Sequence, residues 1–543
     1  MRKIIFPILL AIALIAGVFI GVKIPKNQTL NNVFPQKSQA SEKISTILDL
    51  IDENYVDKVD IDSITEKAMP ELLSQLDPHC VYLSNQDLQI ANDDLEGSFS
   101  GIGVQFSLED DTIMISNVIS GGPCDKKGVR AGDRIVTVDT VNFTGKEITS
   151  DKVVKTLRGK KGTKVKLGIY RPGDEGLLDF EITRDDISVS SIDIAYMVTP
   201  TTGLIRVNKF GEKTYSEFMQ SLIKLHRMGA KRYVIDLRDN PGGYLTAVIR
   251  MANEFLEKDQ TIVFTKGRAK GTSDSCKADG NGHFKNVPVT VLINEWSASA
   301  SEIFAGAMQD NDRGTVIGRR SFGKGLVQQQ FTIDKTTEVR LTISRYYTPS
   351  GRCIQKPYKN GKDYSSEVFD RYEKGEMEDS SKIEHKENEE QFKTLKGRTV
   401  YGGGGITPDI FVAAKIDGDN SYYRSLSNKA LYDFAFHYTD RNRSILKSFK
   451  TQKELEEYLD SQKLENELAE FAKKEKKINI NSNMLDQCKL ILRNRISACI
   501  VRNFFGDEGF HSVLNKIDPI VQKAIGNIAD DVCTEGYDEG DKF

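Results

Sequence analysis

The stretch from Val287 to Gln330 constrains this chain more than any other. It opens with Val287-Pro288-Val289-Thr290-Val291-Leu292-Ile293, a short apolar run rich in β-branched residues, which reads as a strand. The chain then turns through Asn294-Glu295-Trp296 into Ser297-Ala298-Ser299-Ala300-Ser301-Glu302. From Ala300 the apolar residues fall at 300, 303, 304, 307 and 308, one face of a helix. A second apolar piece, Thr315-Val316-Ile317, leads to Ser321-Phe322-Gly323-Lys324-Gly325-Leu326-Val327-Gln328. A strand therefore feeds a helix with three serines at its mouth, and a lysine between glycines follows.

A serine at a helix N-terminus has two readings. Ser299-Ala300-Ser301-Glu302 fits a capping box, in which Glu302 reaches back to the cap. The same serine could be a nucleophile, because the first helical amides are unpaired donors carrying partial positive charge, suited to an oxyanion. A nucleophile needs a base. The six histidines (His79, His226, His283, His385, His437 and His511) stand in no recognisable triad context. Lys324 is the alternative base, provided that it is neutral. Moving a lysine pKa from about 10.4 to about 7 costs roughly 5 kcal/mol of charge stabilisation, which requires burial. From the residues alone, a surface lysine in a glycine turn is the stronger reading.

Taken together, Ser297 to Glu302 followed by Phe322-Gly323-Lys324-Gly325 and Gln328 resembles the C-terminal processing peptidases, the tail-specific protease family. The resemblance implies a Ser–Lys dyad of Ser299 and Lys324, with Gln328 orienting the lysine. Glu295-Trp296 departs from the family pattern, where small residues are common, and bears on the rim of the site.

A length of 543 residues implies three to four domains. Apolar content of 39% and charged content of 28% are those of soluble globular domains, and a net charge of −3 gives no sign of a nucleic-acid partner. Arg2-Lys3 precede a nearly unbroken apolar segment, Ile4 to Val22, long enough for a marginal span. Its one A-x-A, Ala11-Ile12-Ala13, lies mid-run, which favours an anchor in the inner (cytoplasmic) membrane over a cleaved signal peptide. Residues 23–40 read as a tether, and 41–96 as a helical region. In the family such a region packs beside the next domain and often mediates dimer contacts. Seven cysteines lack C-x-x-C spacing, so no metal is expected, and their pairing is open.

Residues 97–184 are similar to a PDZ domain. Gly101-Ile102-Gly103 offers a loop for a terminal carboxylate, the strand after it an edge for a peptide, and Asp151 to Leu157 a helix to close the groove. From Asp185 the pattern turns α/β, with strands at Gly203 to Val207 and Tyr233 to Leu237 around a helix from Tyr215 to Met228. Arg238-Asp239-Asn240-Pro241-Gly242-Gly243 sits at a strand-to-helix turn. In the family this segment supplies part of the oxyanion hole, which makes Gly242 and Gly243 candidates together with the amide of Ala300. Residues 359–393, dense in charge, read as a mobile surface insertion in a core spanning 185–415, and 416–543 as a helical C-terminal domain.

The expected fold is thus multidomain α/β: a ClpP/crotonase-like protease core, a PDZ domain, an N-terminal helical region and a C-terminal helical domain. The expected function is a serine endopeptidase of the cell envelope, facing the periplasm and acting on proteins with free C-terminal tails. It needs no cofactor, and a homodimer is possible. The competing reading is a membrane-tethered PDZ binding module with an inert protease-like domain. The presence of both Ser299 and Lys324 argues against it. An esterase using the same serine would have no use for a tail-binding domain.

Overall fold

The computed structural model describes residues 39–84, 88, 97–109, 111–119, 121–171, 173–334, 337–358, 364, 366–383 and 390–531. The expected anchor at 1–22 and nearly all of the tether lie outside them. Among the described residues no helix is long and apolar enough to cross a membrane. The chain forms two units, Met1–Leu76 and Asp77–Phe543.

In the first unit, α1 (Gln39–Asn54) and α2 (Ile61–Ser74) follow the apolar spacing of the sequence. Asp60 caps α2, accepting from the Ser63 amide at 3.2 Å. No residue of α1 is buried, and Ile44, Ile47 and Leu50 stand exposed. Within the expected 41–96 helical region, one described stretch is not helical. Val81–Leu83 is a strand, β1, and belongs to the second unit, where it pairs antiparallel with residues Glu338 to Arg340.

The second unit begins with the PDZ sheet. Strands β2 (Ser98–Gly101), β3 (Val104–Glu109), β4 (Thr112–Val118), β5 (Arg134–Val138), β6 (Val141–Asn142), β7 (Lys164–Tyr170) and β8 (Leu177–Thr183) surround α3 (Ser150–Leu157). The sheet order is β3-β4-β5-β7-β8, so β3 lies at an edge. Its core joins Ile102, Ile113, Ile135, Val153 and Leu157, which ties the glycine loop to α3. β2 pairs instead with β9 (Asp185–Ser188), the exit from the domain.

The protease core is a six-stranded sheet in the order β10 (Ile192–Thr199), β11 (Thr202–Val207), β12 (Arg232–Asp236), β15 (Val289–Ile293), β16 (Thr315–Gly318), β21 (Ile410–Phe411). All neighbours are parallel except β10 and β11. These strands alternate faces with period two. Ile205, Tyr233, Ile235, Val291, Ile293 and Val316 enter one core with α4 (Thr214–Arg227), α5 (Leu245–Asn253) and α6 (Ala300–Asp310). Leu204, Val234, Leu292 and Ile317 enter the other. A second sheet holds β13 (Thr261–Gly267), β14 (Asp274–Lys277), β17 (Leu326–Thr332) and β18 (Glu338–Tyr347), with β1 on the far edge of β18.

Two expectations are corrected here. First, α6 does not present a single apolar face: all of its residues are buried, including Ser301, Glu302, Gln309 and Asp310. A helix buried all round can carry polar residues only where they are partnered. Second, the described part of the 359–393 insertion is not a free surface segment. It forms α7 (Glu367–Glu373), and Tyr364, Val368, Arg371 and Met377 are buried. It ends in β19 (Gln391–Lys393), which pairs with β20 (Thr399–Tyr401).

The C-terminal helices are more than an appendage. The long helix α8 (Ser482–Leu514), kinked at Gly506, packs with the helices before it around Leu459, Leu468, Leu492 and Ile500. The last helix, α9 (Pro519–Asp531), sets Ile520, Val521 and Ala524 on the second face of the core sheet. Burial of Ile520 and Val521 contributes about 1.5–3 kcal/mol each, so the sheet relies on this helix to cover that face.

Candidate active site

Parallel α/β sheets offer ligand sites at the carboxyl ends of their strands. Two neighbouring ends matter here. β12 runs into Leu237 to Gly243, and β15 runs into Asn294 to Ser299. The two loops are tied together. The Asn240 carbonyl accepts from the Ala298 amide at 3.0 Å and from the Ser301 hydroxyl at 2.9 Å. The Asn240 side chain donates to the Val207 carbonyl at 2.8 Å.

Ser299 sits at φ 56, ψ −113, a conformation that a non-glycine residue adopts only under constraint. The constraint comes from both sides. A Cβ placed on Gly242 (φ +101) would lie 2.7 Å from Ser299 Cβ and 2.9 Å from the Ala300 nitrogen, so only glycine fits against the serine. Glu302, fully buried, holds the other side.

Glu302 reaches back to the Ser299 amide at 2.9 Å, as a capping box demands. It does much more. The same Oε2 accepts from the Lys324 amide at 2.9 Å, and Oε1 accepts from the Gly323 amide at 2.7 Å and the Ser321 hydroxyl at 2.5 Å. One carboxyl group thus joins the serine turn to the lysine turn. Burial raises its pKa, the four donors oppose the rise, and the result is about 7. The hydroxyl of Tyr346, a buried residue of β18, makes a second bridge, within hydrogen-bond reach of the carbonyls of both Ser299 and Lys324.

Every backbone polar group of Gly323-Lys324-Gly325 has a partner. The Gly323 carbonyl accepts from the Lys356 amide, and the Gly325 carbonyl from the Tyr346 amide. The Gly325 amide donates to Gln355 Oε1 at 2.8 Å. The flanking glycines follow from this close packing: a Cβ on Gly325 would lie 2.9 Å from the Gln355 nitrogen. Lys324 is largely buried here, and burial is the main cause that lowers its pKa. Arg340 adds to the shift, while Glu302 and Asp77 oppose it.

Not every residue singled out from the sequence takes the expected partner. Glu302 and Tyr346 join the backbones of Ser299 and Lys324, but no hydrogen bond joins their side chains among the described residues. Gln328 is not placed on Lys324: its amide donates to Thr342 Oγ1 at 3.4 Å. A bulge between Val327 and Gln328 sets Gln328 directly across from Thr342 on β18. The Gly242 amide donates to Asn240 Oδ1 at 2.8 Å in an Asx turn, so Gly242 lines the serine with its α-carbon rather than its N–H. Gly243 continues the turn at φ +144, and Ala300 opens α6. In the PDZ domain, Gly101, Ile102 and Gly103 (φ +78) connect β2 to the edge strand β3. The Arg158 guanidinium lies 4.4 Å over the Phe99 ring at the end of α3.

Sequence reasoning passed over His79, Tyr346, Gln355 and the wider role of Glu302. His79 comes from the turn before β1, and its Nε2 lies 3.1 Å from the Tyr364 hydroxyl. Burial, then the charge of Lys324, pushes its pKa down to about 4, so it is a neutral neighbour of the lysine. Only Glu302 carried a signal, the capping-box spacing. The six described cysteines are all free thiols, and Cys533 lies outside the described residues.

Comparison with known proteins matches peptidase family S41 over residues 201–362, the PDZ domain over 100–183, and a family of unknown function over 422–506. A probable CtpA-like serine protease of Staphylococcus haemolyticus (strain JCSC1435) is 33% identical over 349 residues, covering 64% of this chain and 69% of the relative. That of Staphylococcus aureus (strain N315) is 32% identical over 344 residues, covering 63% and 67%. The solved photosystem II D1 C-terminal processing protease is 23% identical with a TM-score of 0.36, covering 70% of this chain and 95% of its own. Identity at this level across two thirds of the staphylococcal relatives means that the chain belongs to peptidase family S41, as a PDZ-containing, serine-type C-terminal processing peptidase.

Proposed function

We propose that this chain is an envelope endopeptidase that captures free C-terminal tails with its PDZ domain and cleaves the captured protein through Ser299 and Lys324. The observation that carries this reading is the shared carboxyl group of Glu302, which fixes the backbone of the serine and of a half-buried lysine to one point. In the mechanism, neutral Lys324 takes the Ser299 hydroxyl proton as the oxygen attacks the scissile carbonyl. The oxyanion forms against the Ala300 amide and the Gly243 amide, the Gly242 amide being held by Asn240. The lysine ammonium then protonates the leaving amine, and water, deprotonated by the same lysine, releases the acyl group. The mechanism requires a Ser299–Lys324 hydrogen bond that forms as substrate binds. Gln328 reaches the lysine only after leaving Thr342.

The tail site is the Gly101-Ile102-Gly103 loop and the open edge of β3, where a peptide strand adds to the sheet beside α3. The N-terminal apolar segment would hold the enzyme in the cytoplasmic membrane with its catalytic part outside. The exposed Ile44, Ile47 and Leu50 on α1 favour a homodimer, which sedimentation of the soluble chain tests.

The test of function uses the chain without residues before Ala40 and its Ser299→Ala variant, with an unfolded substrate whose terminus is free or amidated. Cleavage is expected only with the serine present, and amidation is expected to slow it. Equal rates on both termini would remove the PDZ trigger. Cleavage by Ser299→Ala would remove the nucleophile. N-terminal sequencing of the mature protein tests the anchor, which a new terminus beyond Val22 would overturn.

A further inference from the structure

The charged insertion packs against the segment that leads into the lysine turn and against Gln355, which holds the end of that turn. Arg371 is 4% exposed and bonds the segment that leads to Lys324. Its Nη1 donates to the Ser321 carbonyl at 3.0 Å and its Nη2 to the Arg320 carbonyl at 2.7 Å. Its Nε donates to Glu376 at 3.0 Å, and Glu376 also receives Arg320 at 2.7 and 2.6 Å. A guanidinium with two arms on consecutive carbonyls fixes the direction in which the chain enters Phe322-Gly323-Lys324.

Tyr364, nine residues after Gln355, grips the exit. Its hydroxyl receives Gln355 Nε2 at 3.3 Å, and Gln355 Oε1 holds the Gly325 amide. The same hydroxyl meets His79, and the ring packs edge-on against Phe322 at 5.6 Å. Between them lies the buried ammonium of Lys356, 3.7 Å over Phe322, 4.4 Å over Tyr364 and 3.0 Å from Glu367. Trp296, the departure from the family pattern ahead of the serines, packs against Phe369 of the same helix at 6.3 Å.

We propose that the insertion is a positioning element for the catalytic lysine, with Arg371 and Tyr364 as the positioning residues that hold the lysine turn in its buried setting. They touch no substrate and act through the backbone on either side of Lys324. The proposal rests on the reading of Lys324 as the base.

The test compares Arg371→Lys, which keeps the charge but cannot span two carbonyls and Glu376, with Tyr364→Phe, which removes one oxygen. Both are made in the chain used above, alongside Lys324→Ala. Steady-state kinetics on a tail-bearing peptide are measured across pH, with thermal unfolding as a control. The charged and titratable groups around Lys324 are Arg340, Glu302, Asp77 and His79; neither variant replaces one, although Tyr364→Phe removes the hydroxyl beside His79. Expected are a kcat roughly tenfold lower or more in Arg371→Lys with KM nearly unchanged, and an acid limb of kcat/KM moved to higher pH in both variants as water reaches the lysine. Unchanged kcat and limb with a lowered melting temperature would mean a purely structural brace and overturn the proposal. If Arg371→Lys does not fold, Tyr364→Phe decides alone. Full turnover by Lys324→Ala would overturn this proposal and the dyad together, whereas an inactive Lys324→Ala with unaffected positioning variants would overturn this proposal only.

Discussion

Lys324→Ala is expected to lower kcat by roughly 10²- to 10⁴-fold, the range for loss of a positioned general base, while leaving the chain folded and its PDZ domain able to bind tails. The reason lies in the setting of the side chain. Burial disfavours the ammonium, and Arg340 reinforces the effect, so neutral amine is available at a pH where a surface lysine is almost wholly charged. Cleavage by the wild type should therefore rise with pH through the lowered lysine pKa, and the rise should vanish in the variant along with the activity. Stability moves in a linked way. Between the lowered folded value and the ordinary unfolded value, the unfolded chain binds more protons at this site than the folded one does. The contribution of Lys324 to stability is thus fully present above the unfolded value and is lost as pH falls through the folded one. At neutral pH the alanine variant should be at least as stable as the wild type. Kinetics across pH together with thermal melts check both statements. A variant with most of its turnover, or a flat profile in the wild type, would rule out the lysine as base.

The elements were legible where one physical cause dominates. The continuous apolar runs Tyr233-Val234-Ile235 and Val291-Leu292-Ile293 reflect a sheet with a core on each face, and the strands lie where those runs place them. The glycine loop, edge strand and helix of the PDZ domain follow from turn chemistry and β-branched runs in the same way. The site was legible only in part, because its supports are polar groups whose partners lie far along the chain. Glu302 reads as a cap, since a cap explains one of its four hydrogen bonds; the other three come from residues 19 to 22 positions later. Arg371 and Tyr364 sit in a segment whose composition is that of solvent-exposed chain. No periodicity records that a guanidinium is buried on two carbonyls. Gln328 entered only through the family resemblance, and no local pattern records that a register shift beside it sets it across from Thr342. The short strand Val81–Leu83 was lost inside a helical region because three residues carry too little pattern to outweigh their neighbours.

Glu302→Gln is expected to be the most damaging isosteric change in the molecule, costing both stability and activity. The carboxyl oxygens face four donors and no acceptor: the amides of Ser299, Gly323 and Lys324 and the hydroxyl of Ser321. An amide in that place turns its NH2 toward two of them, whichever way it is flipped. Each buried donor stranded in this way costs about 1–3 kcal/mol, so two should cost the variant roughly 2–6 kcal/mol in chemical denaturation. The Ser321 hydroxyl can rotate to relieve its share, but the three backbone amides cannot. The loss has a pH signature. The folded chain holds the Glu302 proton more tightly than the unfolded chain, with a pKa of about 7 against the usual 4.5. The contribution of this group is therefore full below the unfolded value and is lost as pH rises through about 7. The stability gap between wild type and Glu302→Gln should narrow from acid toward neutral pH. Activity should fall further than stability alone accounts for, because the amides of the nucleophile and of the lysine share this one carboxyl, and a shift of either by an ångström can cost about 100-fold. A Glu302→Gln enzyme with wild-type kcat and an unchanged denaturation midpoint would show that the serine and lysine turns hold their positions without the bridge.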